Sequence, residues 1–161
     1  MNNGKEITLL FADDDCDDRF LFEEALKIVA PNANLITAND GQEVFRILMK
    51  SDSLPDLIFL DINMPGMNGW ECLSAITSNE IYKSIPVIIY STTSRRLDID
   101  RAYKSGAFCF CTKPDNFNNL KILLKLIHDN IDTDLKKALN ECDDCTSVYF
   151  PGNDRYSRLM D

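Results

Sequence analysis

The sequence predicts an α/β protein, a doubly wound five-stranded parallel sheet, and three observations carry that expectation. Short apolar runs alternate with amphipathic stretches five times along the chain. The runs are apolar throughout, as strands buried on both faces must be, and four of the five stop at a polar residue with evident chemistry. At 161 residues and 45% hydrophobic content, the chain can bury one proper core, so a single domain with a modest extension is expected.

The first unit is Ile7-Thr8-Leu9-Leu10-Phe11-Ala12, a strand that ends at Asp13-Asp14-Asp15. A helix follows between Asp17 and Ala30, where Leu21, Ala25, Ile28 and Val29 recur at helical spacing before Pro31-Asn32 closes it. Leu35 to Ala38 gives the second strand, and Gly41 to Lys50 the second helix. The third strand, Leu57 to Leu60, ends at Asp61; a turn-rich Met64-Pro65-Gly66-Met67-Asn68-Gly69 loop leads into a helix from Gly69 to Ser78. Pro86 to Tyr90 precedes Ser91, a weaker helix covers Arg95 to Ser105, and Ala107 to Cys111 runs into Thr112-Lys113-Pro114. The last clear helix places Leu120, Leu123, Leu124 and Ile127 on one face. A single domain over 5–130 is therefore followed by an extension over 131–161, with one short helix marked by Leu135, Ala138, Leu139 and Cys142 and an irregular tail.

Composition narrows the function. With 17 basic and 26 acidic residues the net charge is −9, and no Lys/Arg-rich run could neutralise a phosphate backbone, which disfavours nucleic acid as a partner. No apolar stretch approaches the ~20 residues of a membrane span, and the N-terminus has no signal-peptide pattern, so the expected location is cytoplasmic, without membrane association. Six cysteines do not require a disulfide scaffold in a chain with this much core. Cys142-Asp143-Asp144-Cys145 has the spacing of a redox or zinc half-site, yet no second Cys/His pair accompanies it, and two incidental thiols is the simpler account. His128 is the only histidine, which excludes a second Cys/His cluster.

The chemistry lies at the strand ends. In a parallel sheet Asp13, Asp14, Asp61, Ser91 and Lys113 meet at one edge, where ligands bind in doubly wound folds. Clustered carboxylates repel one another unless a cation sits among them, and all-oxygen ligation suits Mg²⁺. Asp61 can serve as metal ligand and nucleophile, Ser91 can donate to a phosphoryl oxygen, and Lys113 can neutralise charge the metal does not. Taken singly, each has a blander reading: an acidic triplet as a solvated helix start, Asp61 as a cap, Lys113 as a surface lysine and Phe110 as core. Their joint occurrence at four strand ends favours the chemical reading.

Leu9 to Asp15, Asp61-Ile62-Asn63-Met64-Pro65-Gly66-Met67-Asn68-Gly69, Pro86 to Ser91 and Gly106-Ala107 to Lys113-Pro114 together resemble the receiver domain of two-component response regulators. The resemblance covers about residues 6 to 129. It implies a flavodoxin-like (βα)5 fold with strand order 2-1-3-4-5, like the stand-alone chemotaxis-type receivers. It further implies Asp61 as phosphoacceptor, Asp13 and Asp14 as the acidic metal pair, and the Asn63 backbone carbonyl in the Mg²⁺ shell. Ser91 and Lys113 take the switch-hydroxyl and lysine roles, Phe110 the aromatic switch position, and Lys113-Pro114 a peptide bond that is typically cis in the family. Ser91 stands where threonine is common, and Asp15 lengthens the acidic run, so the metal pair falls within Asp13 to Asp15 with the strand end favouring the first two.

The implied donor is a sensor histidine kinase or a histidine phosphotransfer protein. The output would pass to a downstream protein target, to a further relay step, or into self-association as a homodimer. Such a protein is not an enzyme toward other substrates; it catalyses only its own phosphoryl transfer and dephosphorylation. The alternatives are a receiver-like interaction module that is not phosphorylated, and an aspartyl-nucleophile phosphatase of haloacid-dehalogenase type, which would want Asp in place of Asn63. A flavodoxin-type FMN carrier is disfavoured because acids follow the first strand where a phosphate-binding loop would stand.

Overall fold

The computed structural model describes residues 6–144, 148–151 and 153–160. Its first five strands are β1 (Thr8–Ala12), β2 (Asn34–Ala38), β3 (Leu57–Leu60), β4 (Val87–Ser91) and β5 (Cys109–Thr112). They alternate with α1 (Cys16–Val29), α2 (Gly41–Lys50), α3 (Gly69–Thr77), α4 (Arg96–Lys104) and α5 (Phe117–Asn130). The five strands are parallel and stand in the order β2-β1-β3-β4-β5, the flavodoxin-like arrangement.

Period-two geometry divides each central strand between two cores. Leu9 and Phe11 of β1, Leu57 and Phe59 of β3, and Ile88 and Tyr90 of β4 face the side covered by α1 and α5. Leu10, Ile58, Leu60, Val87 and Ile89 face the side of α2, α3 and α4. On the first side Phe11, Phe59, Tyr90 and Phe22 form an aromatic cluster, with Phe11 stacked on Phe22 at 4.3 Å and most other pairs edge to face.

Phe22 corrects the stripe expected for the first helix. The buried residues of α1 are Phe22, Ala25 and Leu26, while Leu21 and Ile28 are exposed at 45% and 61%. Apolar residues occur nearly all round this helix, so two overlapping stripes satisfy a 3.6 period, and the aromatic cluster of the sheet selects the one carrying Phe22. On α5, by contrast, Leu120, Leu123, Leu124 and Ile127 are all buried, as their spacing requires.

The extension departs most from expectation. Helix α6 (Leu135–Glu141) packs on α5 through buried Leu135 and Leu139. Beyond it the irregular tail of the sequence reading contains a sixth strand, β6 (Val148–Tyr149), and then α7 (Asp154–Ser157) and a 3₁₀ turn over Arg158–Met160. Strand β6 joins β5 antiparallel, with Phe110 opposite Tyr149 and Cys111 opposite Val148, so the sheet has six strands where five were expected. Two residues are too few for periodicity to reveal. Their alternation is nonetheless clear in space: Val148 and the following Phe150 enter the α1/α5 core, and Tyr149 packs on the opposite one.

Cys72, Cys109 and Cys111 are buried cysteines, and burial pushes the Cys72 thiol up to about 12. Cys142 is a free thiol; the Cys142/Cys145 pairing itself lies outside the described residues. No helix among the described residues is long and apolar enough to cross a membrane.

Candidate functional site

The ends of β1 and β3 lie side by side, held by the bond from the Asp61 N–H to the Ala12 carbonyl at 2.9 Å. This juxtaposition brings Asp13, Asp14 and Asp61 together, each offering a carboxylate oxygen within 4.8 Å of the others. Asp13 and Asp61 are buried and Asp14 is exposed. Asp15 turns away from this group: it is the N-cap of α1, its side chain accepting from the Asp17 N–H at 2.8 Å. One carboxylate of the acidic run is thus committed to starting the helix, and Asp13 and Asp14 are the two that converge with Asp61.

Lys113 enters from the end of β5, placed by its N–H bond to the Ser91 carbonyl at 2.6 Å. Its ammonium Nζ lies 2.6 Å from Asp13 Oδ2, 2.7 Å from Asp18 Oδ2 and 3.5 Å from Asp61 Oδ1. Burial alone would lower the lysine, but hydrogen bonds to Asp13 and Asp18 and the charges of Asp61 and Asp13 outweigh it, and the group is held well above its ordinary value. Asp61 moves the other way from a typical acid. Burial pushes it up to about 6, with the charges of Asp13 and Asp14 adding to that rise and Lys113 opposing it. Asp13 is also raised, chiefly by burial, against the bonds it accepts from Lys113 and the Asp15 N–H.

The loop after Asp61 is shaped by two glycines. Gly66 turns at φ +68°, and Gly69 lies so close to the chain that an added Cβ would come within 2.2 Å of the Asp61 carbonyl oxygen. A capping box between Asn68 and Glu71 then starts α3. Asn63, two residues past Asp61, is exposed in this loop.

The remaining sequence candidates distribute around this centre. Ser91 is buried at the end of β4, its Oγ accepting from the Thr93 N–H at 3.3 Å. Phe110 is buried in the core on the α2/α3/α4 side, its ring 6.4 Å from that of Tyr149. No peptide bond among the described residues is cis, so Lys113-Pro114 is trans, contrary to the expectation carried by the resemblance. Trp70, on α3, lies under the Arg101 guanidinium at 4.5 Å.

Sequence reasoning missed Asp18. Asp18 was hidden in a run in which five of the six residues from Asp13 to Asp18 are aspartates, so nothing in the pattern distinguished it. Its place in the first turn of α1, directed back toward the strand ends, was the available signal.

Three carboxylates with converging oxygens form a donor set for a hard divalent cation such as Mg²⁺. A lysine within reach of the same carboxylates is what a transferred phosphoryl group would require. Comparison with known proteins places the chain in a family. The family model described as the response regulator receiver domain matches residues 9–125. Response regulator Rcp1 of Synechocystis sp. is 32% identical over 131 residues, spanning 78% of this chain and 86% of its own length. Among solved structures, the phosphorylated cyanobacterial phytochrome response regulator RcpA has a TM-score of 0.71 at 32% identity, covering 78% of this chain and 93% of its own. The Mn²⁺-bound form of response regulator Rcp1 gives 0.67 at 29%, covering 76% and 92%. On the matched motifs and the shared fold, this chain belongs to the response regulator receiver domain family of two-component signalling.

Proposed function

We propose that this receiver accepts a phosphoryl group on Asp61 from the phosphohistidine of a sensor histidine kinase or a histidine phosphotransfer protein, in the cytoplasm, and signals by binding a downstream protein. The observation that carries this reading is the convergence of Asp13, Asp14, Asp61 and Lys113 at one sheet edge. In the transfer an Asp61 carboxylate oxygen forms a bond to phosphorus while the P–N bond to the donor imidazole breaks, leaving an acyl phosphate. Asp61 must be ionised to attack, and the position of its titration near 6 leaves it so at neutral pH.

Asp13, Asp14, Asp61 and the Asn63 carbonyl would hold Mg²⁺, which when bound neutralises charge on the phosphoryl oxygens. Lys113 supplies the remaining positive charge from the β5 side. Ser91, at the adjacent strand end, is the hydroxyl donor for a phosphoryl oxygen, and Phe110, opposite Ile89 in the β4–β5 pairing, is the aromatic switch residue. The new charge of roughly −1.5 to −2 is sufficient to bias a two-state surface.

The test is intact-protein mass after incubation with acetyl phosphate and Mg²⁺, beside EDTA and Asp61→Asn controls. A phosphoryl adduct that needs the metal and is lost in the variant is the expected result. An adduct that persists in the variant assigns the acceptor elsewhere. No adduct from either acetyl phosphate or a phosphorylated histidine donor leaves the unphosphorylated interaction module as the better reading.

A further inference from the structure

Lys113 has three N–H donors and three nearby acids to satisfy, and the shortest contacts do not go to Asp61. Its ammonium hydrogen-bonds Asp13 and Asp18 at 2.6 and 2.7 Å, whereas Asp61 stands at 3.5 Å. The two bonded acids differ in one respect that matters. Asp13 belongs to the group of three carboxylates whose oxygens converge, and Asp18 does not.

From this difference we infer that Asp18 is a positioning residue for Lys113: it retains the ammonium when Asp13 turns to a cation, and so presents it to the oxygens on Asp61. The inference rests on the phosphoacceptor reading above. A cation among Asp13, Asp14 and Asp61 repels the ammonium and competes for the Asp13 oxygen that Lys113 now uses. The bond to Asp18 lies outside that competition and survives it. Lysine is a flexible four-carbon stem with much rotamer entropy to lose, so an ammonium left without a fixed partner would be poorly oriented.

Two further observations support the assignment. The Lys113 ammonium lies 5.7 Å from the Tyr90 ring centroid, so the tyrosine flanks it on the core side. Asp18 and Lys113 also line one cleft of about 210 Å³ with Tyr90, Pro114 and Phe117, next to the carboxylate group. The pair joins the first turn of α1 to the loop after β5, two connections that the sheet brings together only at this edge.

The experiment is a double-mutant cycle of Asp18→Asn and Lys113→Met, read in two ways: the rate of adduct formation from acetyl phosphate at saturating Mg²⁺, and the melting temperature in the same buffer. The expected result is a slowing of about tenfold by Asp18→Asn when Lys113 is present, the size that loss of orientation at a reacting centre permits. In the Lys113→Met background the same substitution should change the rate less than about twofold, because coupled residues are non-additive. Equal slowing in both backgrounds would mean that Asp18 acts through overall charge or fold, and no slowing in either would mean that it does not act; both overturn the inference. If the native protein takes no phosphoryl group, the phosphoacceptor reading fails separately. The melting-temperature cycle then decides, with non-additive losses supporting the Asp18–Lys113 link and additive ones overturning it.

Discussion

Asp61 is held in a charge state that its burial disfavours. Its proton is lost near pH 6 in the folded chain against an ordinary value of 3.8, so folding binds a proton over that interval. The stabilisation from this group is complete below about pH 4 and is lost as pH rises through 6, at a cost of up to about 3 kcal/mol when the carboxylate is ionised. Asp61→Asn should therefore melt several degrees above the native protein in EDTA at pH 8, with the gap closing as pH falls toward 4; equal melting at pH 8 would contradict the account. Gly69 gives a second prediction at this scale. Because its added Cβ would meet the backbone at Asp61 and Ile62, Gly69→Ala must displace the very loop that positions the acid. A loss of about 1–3 kcal/mol in urea unfolding is expected. Both residues were readable as part of a motif, but the reason for Gly69 was not: a close approach between residues eight positions apart exists only once the chain has turned.

At the scale of elements, α5 and the extension make opposite points. The face of α5 was legible because its apolar residues form one stripe. The face of α1 was not, since Phe20, Leu21 and Ile28 are apolar and exposed while Phe22 is buried, and only the aromatic cluster on β1, β3 and β4 distinguishes them. Strand β6 was invisible because its two residues are defined by the β5 edge they pair with. Its contribution is nevertheless structural. Phe150, just after it, is buried and packs edge to face on Phe108 at 5.6 Å. Phe150→Ala should cost about 3–5 kcal/mol, the range for deleting a buried phenyl group, measured by urea unfolding. A change below 1 kcal/mol would show that the tail is not part of the cooperative unit. Asn153, which caps α7, Arg155, which bonds the carbonyls of Leu139 and Val148, and Tyr156, which bonds the Asp100 carboxylate on α4, further fasten this segment to the domain.

For the molecule as a whole, the acidic edge is an electrostatic cost that a bound cation would relieve. Mg²⁺ should raise the melting temperature by linkage, about 2.7 kcal/mol when its concentration is a hundredfold above the dissociation constant. Asp13→Asn combined with Asp61→Asn should abolish that rise while leaving the fold intact by circular dichroism. A rise that survives both substitutions would place the cation elsewhere on this chain of net charge −9.

The sequence by itself determined the alternation of strands and helices, the parallel sheet and the set of strand-end residues, because hydrophobic period and chain order are local properties. Tertiary structure alone decided which face of α1 is buried, that a sixth strand closes the β5 edge, and that Asp18 rather than Asp15 reaches Lys113. Each of those depends on two segments far apart in the chain meeting at a distance of a few ångströms, and within a run of near-identical aspartates only geometry can tell which carboxylate is in range.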